Sequence, residues 1–231
     1  MKDRSIAGSA LACRTTRRSP PVELSYGAMP ERSSQAPSTP KRAAVQAAVL
    51  RATEELLGEG ATYADLNIER IATRAGISRT AFYFYFADKR ELLMRLSEDV
   101  TDELYTQADI WYSGSGDPRA EIREAIGNIA VLYEQHGPLL RAIVEVSTYD
   151  EEVGAAWRSL VGRFVTATEA RIEAEQSAGR SSGIAAGATA FALVWMAERV
   201  LYQELVQASP MTRKELVEGL VGIWMRSIYD A

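Results

Sequence analysis

An all-α chain in two parts is expected from this sequence: a three-helix head of helix-turn-helix form over residues 41–87, then a larger helical part over residues 88–231. Three observations predict it. From Lys41 onward, apolar side chains recur three and four positions apart, and no segment sustains the two-residue alternation of a strand. Capping residues, prolines and glycines punctuate these runs at helical lengths. The stretch Ala75 to Leu93, AGISRTAFYFYFADKRELL, reads as the turn, second helix and exit of a helix-turn-helix.

Composition bounds the function. The chain has 231 residues, 47% hydrophobic and 25% charged, ordinary proportions for a globular protein with a sizeable core. A net charge of -5 argues against a generic nucleic-acid binder, but the acidity is local. Residues 41–100 carry nine basic and nine acidic side chains, whereas residues 101–231 carry eleven and nineteen. In the head, Lys41, Arg42, Arg70, Arg74, Arg79, Lys89 and Arg90 are expected near one face, with Glu54, Glu55, Glu59, Glu98 and Asp99 elsewhere. One basic face on a neutral domain suits selective rather than indiscriminate DNA binding, because fewer counterions are released.

Residues 1–40 are rich in Ser, Pro, Arg and Ala, lack the apolar core of a secretion signal and are expected to be a disordered basic tail. It reads either as an arm that touches DNA or as a solvated leader. Thr39-Pro40 starts the first helix, whose stripe is Val45, Val49, Ala52 and Leu56 and which Gly58 and Gly60 stop. Asn67 caps the second helix, which buries Ile68, Ile71, Ala72 and Ala75. Gly76 makes the turn, since glycine reaches the left-handed region without a Cβ clash. Ser78 caps the third helix, with Ile77 set to pack on Phe82 as a hydrophobic staple. Phe82 and Phe86 share a buried face. Arg79, Thr80, Tyr83 and Tyr85 fall on other faces, where hydrogen-bonding tips suit phosphates and base edges. Asp88 and Glu91 form a capping-box-like pair for the fourth helix, with Lys89 at its first position.

That long helix runs on a stripe of Leu92, Leu96, Val100, Leu104, Ala108 and Trp111 to the loop Ser113-Gly114-Ser115-Gly116. Asp117-Pro118 starts the next, with Ile122, Ile126, Ile129 and Tyr133, broken at His136-Gly137-Pro138. A short helix carries Leu139, Leu140, Ile143 and Val144, and Asp150 caps a longer one with Val153, Trp157, Leu160, Val161, Phe164, Val165, Thr168 and Ile172. Two last helices span about 184–207 and 210–229, the second opened by Ser209-Pro210. The first of them is apolar nearly all round and must be covered on both sides. A second copy of the pair is the natural cover, which predicts a homodimer through a four-helix bundle.

Gly76, Ser78, Tyr83, Tyr85, Phe86 and Lys89 resemble the DNA-binding signature of the TetR (tetracycline-repressor-like) regulators, an Ala-Gly-hydrophobic-Ser turn, a Tyr-x-Tyr/His-Phe helix and a following Lys. One departure is Ala81, where that family often has a Thr that touches DNA. The DNA-contacting set is therefore Lys41, Arg42, Asn67, Ser78, Arg79, Thr80, Tyr83, Phe84, Tyr85 and Lys89, and the partner is double-stranded operator DNA. Further on, HGPLLRA (136–142), Trp157, AERVLY (197–202) and IWMRSIY (223–229) are similar to the ethionamide-resistance-repressor branch, whose members hold an elongated hydrophobic ligand within the C-terminal helices. The resemblance implies a ligand-responsive repressor and a channel lined by Ile122, Ile129, Tyr133, Val161, Phe164, Thr168, Val194, Ala197, Tyr202 and Trp224. Val194 and Ala197 stand where that repressor has two amide side chains on its ligand, so the ligand's identity does not carry over.

Other classes fit less well. His136, the only histidine, has no Ser or Cys nucleophile at diagnostic spacing, so no enzyme is expected. With Cys13 as the only cysteine there is no metal ligand set, disulfide or cofactor motif. Glu198 and Arg199 read as a buried interhelical pair. The longest uncharged apolar run, Ile184 to Ala197, is fourteen residues, short of the ~20 a membrane span needs, and a cytoplasmic location is expected. The alternative left open is a helical dimer that binds a ligand or protein without touching DNA.

Overall fold

The expected helix starts have their physical causes in place. In the computed structural model, which describes residues 40–181, 183–207 and 211–229, short polar side chains turn back onto the backbone N–H groups that a first helical turn leaves unpaired. The helices are α1 (Pro40–Gly58), α2 (Ile68–Arg74), α3 (Arg79–Phe82), α4 (Lys89–Tyr112), α5 (Pro118–Gln135), α6 (Gly137–Ser147), α7 (Glu151–Ser177), α8 (Ala186–Leu201) and α9 (Arg213–Ile228). Asn67 accepts from Arg70 N at 2.8 Å, Ser78 from Ala81 N at 3.1 Å and Asp117 from Ala120 N at 3.0 Å. Asp88 accepts from Glu91 N at 2.8 Å, while the Glu91 carboxylate closes the box one residue earlier than expected, on Ala87 N. Asp150 caps α7 through Glu152 N and Val153 N. Gly60 and Gly76 adopt φ of 92° and 73° at the two helix exits. Among the described residues there is no strand.

Three boundaries differ from expectation. α3 is a single turn, and Tyr83 to Phe86 continue it as tighter turns in which Phe84 N and Tyr85 N reach back only three residues, to Ala81 O and Phe82 O. α8 passes into a π-helical turn over Tyr202–Val206, closed by Gln207 N on Tyr202 O. α9 is opened by Thr212, whose hydroxyl and backbone form a reciprocal capping box with Glu215. The proposed Ser209-Pro210 start, Cys13 and the tail through residue 39 lie outside the described residues.

The described residues form one compact unit. α1 to α3 close on Val49, Leu56, Ile71, Phe82 and Phe86, and α4 continues this core with Leu92 and Leu93 before running 24 residues into the remaining helices. There α4 lies between α5 and α7, α7 packs on α8, and α5 packs on α9. α8 is covered on the side of α7 and bare on the other, where Ala188, Phe191 and Ala192 are exposed. α9 exposes Gly219 and Ile223.

Candidate nucleic-acid interface and ligand cavity

The head sorts its aromatics by which side of a very short helix they occupy. Phe82 is 0% exposed and stacks on Phe86 at 5.5 Å, filling the core. A single helical turn cannot bury its other sides, so Tyr83 is 48% and Phe84 72% exposed. Arg79, Thr80, Tyr83 and Phe84 surround one surface depression. Lys41, Arg42, Asn67 and Ser78 are exposed as well, Tyr85 is half-buried, and the Arg42 guanidinium lies 5.8 Å from the Tyr85 ring centre. Asn67 and Ser78 spend a side-chain oxygen on their own caps.

Three basic residues expected near this face are engaged elsewhere. Lys89 turns inward: its ammonium donates to the carbonyls of Tyr63 (2.7 Å), Leu66 (2.5 Å) and Ala64 (3.4 Å), and it lies 4.9 Å from the Tyr63 ring centre. The Tyr63 hydroxyl donates back to Lys89 O. Burial holds this ammonium below the ordinary lysine range. It clamps the loop before α2 to the start of α4. Arg74 forms a fork on Glu59 (2.8 and 3.0 Å) and reaches Glu55, so two acidic residues expected elsewhere lie beside it. Arg90 bridges to Asp150 and Glu152 at the start of α7. His136 joins the head to the rest, with Nδ1 3.0 Å from Glu54 and Nε2 3.3 Å from Glu103.

Behind α4 lies a narrow cavity of about 90 Å³. Eight expected channel residues line it: Ile122, Ile129, Tyr133, Val161, Phe164, Val194, Ala197 and Trp224. Two do not. Thr168 sits behind Tyr112, its hydroxyl 3.2 Å from the Tyr112 hydroxyl. Tyr202 begins the π-helical turn, where its hydroxyl accepts from Gln207 Nε2 at 2.8 Å, and it faces away. Reading the ligand positions only from α5 and α7–α9 missed the α4 wall, Thr101, Leu104, Ala108, Trp111 and Tyr112, and also Trp157. The signal was present, since Leu104, Ala108 and Trp111 lie on the apolar stripe of α4.

Glu198 also lines the cavity, and here the expected interhelical pair is corrected. Arg199 is its neighbour on the same helix, its Nε stands 3.9 Å from Glu198 Oε2, and that oxygen has no hydrogen-bond partner. Consecutive helical residues point about 100° apart, so Arg199 leaves for solvent and stacks on Tyr202 while Glu198 turns inward. Burial raises the Glu198 carboxyl above the ordinary range, Arg199 opposing only in part.

Comparison with known proteins follows the same division. Residues 49–96 match the family described as bacterial regulatory proteins, tetR family, and residues 122–230 match the C-terminal domain of transcriptional regulator EthR. The HTH-type transcriptional regulator EthR of Mycolicibacterium smegmatis is 32% identical over 191 residues, 80% of this chain and 86% of that protein. The solved structure of transcriptional regulator FadR from Bacillus subtilis in complex with stearoyl-CoA superposes with a TM-score of 0.66 at 14% identity, over 79% of this chain and 99% of that one. AibR in complex with isovaleryl coenzyme A and operator DNA superposes with a TM-score of 0.57 at 17% identity, over 78% and 97%. At such identities the two structures speak for the fold alone.

Proposed function

The chain belongs to the tetR family of bacterial regulatory proteins, and on that premise we propose that its exposed head residues hold operator DNA while the cavity takes a small hydrophobic effector that releases it. The chain is a DNA-binding transcriptional regulator, not an enzyme, with a C-terminal domain of the EthR kind. The observation that carries the DNA reading is the pair Tyr83 and Phe84, held out to solvent on a turn whose Phe82 and Phe86 are buried. Arg79 and Thr80 add donors beside them, and Lys41, Arg42, Asn67, Ser78 and Tyr85 complete the contact set; Lys89 acts as a clamp. AibR, of the same fold, is known with operator DNA. Two copies join through the bare face of α8 and α9, and their recognition turns enter major grooves ~34–36 Å apart on a near-palindromic site. Repression by promoter occupancy follows, in the cytoplasm; no helix of the described residues is long and apolar enough to cross a membrane.

The release mechanism rests on α4. Its C-terminal half lines the cavity through Leu104, Ala108 and Trp111, while its N-terminal end carries Lys89 in the head. Typical ligand pockets measure ~300–1,000 Å³, so an elongated effector enters only by moving the walls apart. It then favours a conformation with α4, and the head clamped to it, displaced. The loss of DNA affinity equals the effector's preference for that state.

The test is an anisotropy titration against the DNA next to the protein's own gene, at two salt concentrations, with wild type and Tyr83→Ala. Wild type binds tightly and salt-sensitively, and the substitution costs about 1–3 kcal/mol. Weak, sequence-indifferent binding by the wild type, there and on a pool of genomic fragments, sinks the DNA reading.

A further inference from the structure

The cavity is lined almost wholly by apolar side chains from α4, α5, α7, α8 and α9, among them Leu104, Ile126, Val161 and Val194. Into this wall α8 places one carboxylate. Glu198 is 6% exposed, and its Oε2 has no hydrogen-bond partner. A lone buried carboxylate is costly, and that cost falls away when a cation pairs with it and donates a hydrogen bond. Among the described residues no side chain donates a hydrogen bond to that oxygen: Arg199, its neighbour on α8, stands at the edge of ion-pair distance, its Nε 3.9 Å away and its side chain largely in solvent. Burial, and after it the charge of Glu198, push the phenol of Tyr133 on α5 well above the ordinary range, yet no hydrogen bond joins the two. Trp224 Nε1 is the other unpartnered buried polar atom among the cavity residues.

We infer that the effector is a hydrophobic amine: an apolar body that fills the cavity and one protonated nitrogen that donates to Glu198. The inference rests on reading the cavity as the effector site. Three further features support it. An N⁺–H···O⁻ bond in a site of low polarity is among the stronger hydrogen bonds. The indoles of Trp111, Trp157 and Trp224 also line the cavity, and aromatic walls attract cations. Val194 and Ala197 leave Glu198 as the one α8 side chain in the cavity wall that can accept a hydrogen bond. A carboxylate or acyl phosphate ligand meets the opposite situation, like charge against like in an apolar space, so acidic amphiphiles are excluded.

Three probes matched in length, decylamine, decanol and decanoate, titrated below their micelle concentrations into full-length wild type and Glu198→Gln, test this by calorimetry. Decylamine binds wild type at least about tenfold tighter than decanol, as expected for a hydrogen bond between charged groups, and decanoate binds weakest. Glu198→Gln keeps the side-chain volume, abolishes that preference and leaves decanol within about twofold. The wild-type ranking stands by itself should the variant fold poorly. Decanol or decanoate binding wild type as tightly as decylamine overturns the inference while the cavity stands as a binding site. A preference for amine that survives in Glu198→Gln also overturns it, since the acidic surface then suffices. Binding of none of the probes removes the cavity as the effector site and the inference with it. DNA titration without probe reads the regulator separately in every case.

Discussion

The head and the cavity region bury comparable aromatic side chains to opposite ends. In the head, Phe82 and Phe86 close the core, the Lys89 ammonium is shared among three carbonyls, and what remains for a partner lies outside, on Tyr83 and Phe84. Around the cavity, Trp111, Trp157 and Trp224 surround unfilled space, and Glu198 and Trp224 keep buried polar atoms without partners. A surface that grips a fixed, highly charged polymer profits from a rigid, satisfied scaffold. A site that must change shape when a ligand arrives needs an interior that is not yet satisfied.

The sharpest way to break this contrast is to exchange its elements within the head. Phe82→Ala opens the closed core and costs about 3–5 kcal/mol in urea unfolding, whereas Phe84→Ala changes stability by less than about 0.5 kcal/mol and weakens DNA binding. Equal destabilisation by the two would mean that Phe84 packs in solution. Next in size, Lys89→Met leaves the carbonyls of Tyr63, Ala64 and Leu66 without their donor and costs about 1–3 kcal/mol of stability. Its DNA affinity falls equally at every salt concentration. A slope of log affinity against log salt shallower by about one unit would return Lys89 to the phosphate contacts.

The smallest effect concerns the seam between the two regions. The hydrogen bond to Glu54, then the charges of Glu54 and Glu103, hold the His136 imidazole above its ordinary value, with burial opposing. A raised folded value means that the stabilisation is complete below the unfolded value of ~6.5 and is lost as pH rises through the folded one. Glu103 is exposed and Glu54 partly so, and solvent screening keeps the contribution below about 1 kcal/mol. Wild-type melting temperature should therefore fall with pH just above that value more than that of His136→Gln. Parallel pH profiles would show that the ion pairs hold nothing.

Much of the head was legible because its signals are short. Asn67, Ser78 and Asp88 each bond a backbone N–H three residues on, and the left-handed turn needs only Gly76 itself. The capping box at Thr212 and Glu215 is equally local, in the run TRKE, two residues after the proline that signals a helix start. What stayed hidden joins distant helices. Lys89 reaches back 23 to 26 residues, Arg90 pairs 60 and 62 residues away, and Arg74 folds onto Glu59 across a turn.

By itself the sequence determined the helices, most of their ends, the buried stripe of each and the exposed aromatic turn, since these depend on spacing within one or two turns of chain. Only the tertiary structure decided which way each boundary side chain points: Lys89 inward, Thr168 and Tyr202 behind the cavity wall, Glu198 into it. The reason is rotational. Helical period tells which residues share a face, but rotation about the axis, set by every helix packed against it, decides whether a residue at the edge of that face meets core, cavity or solvent.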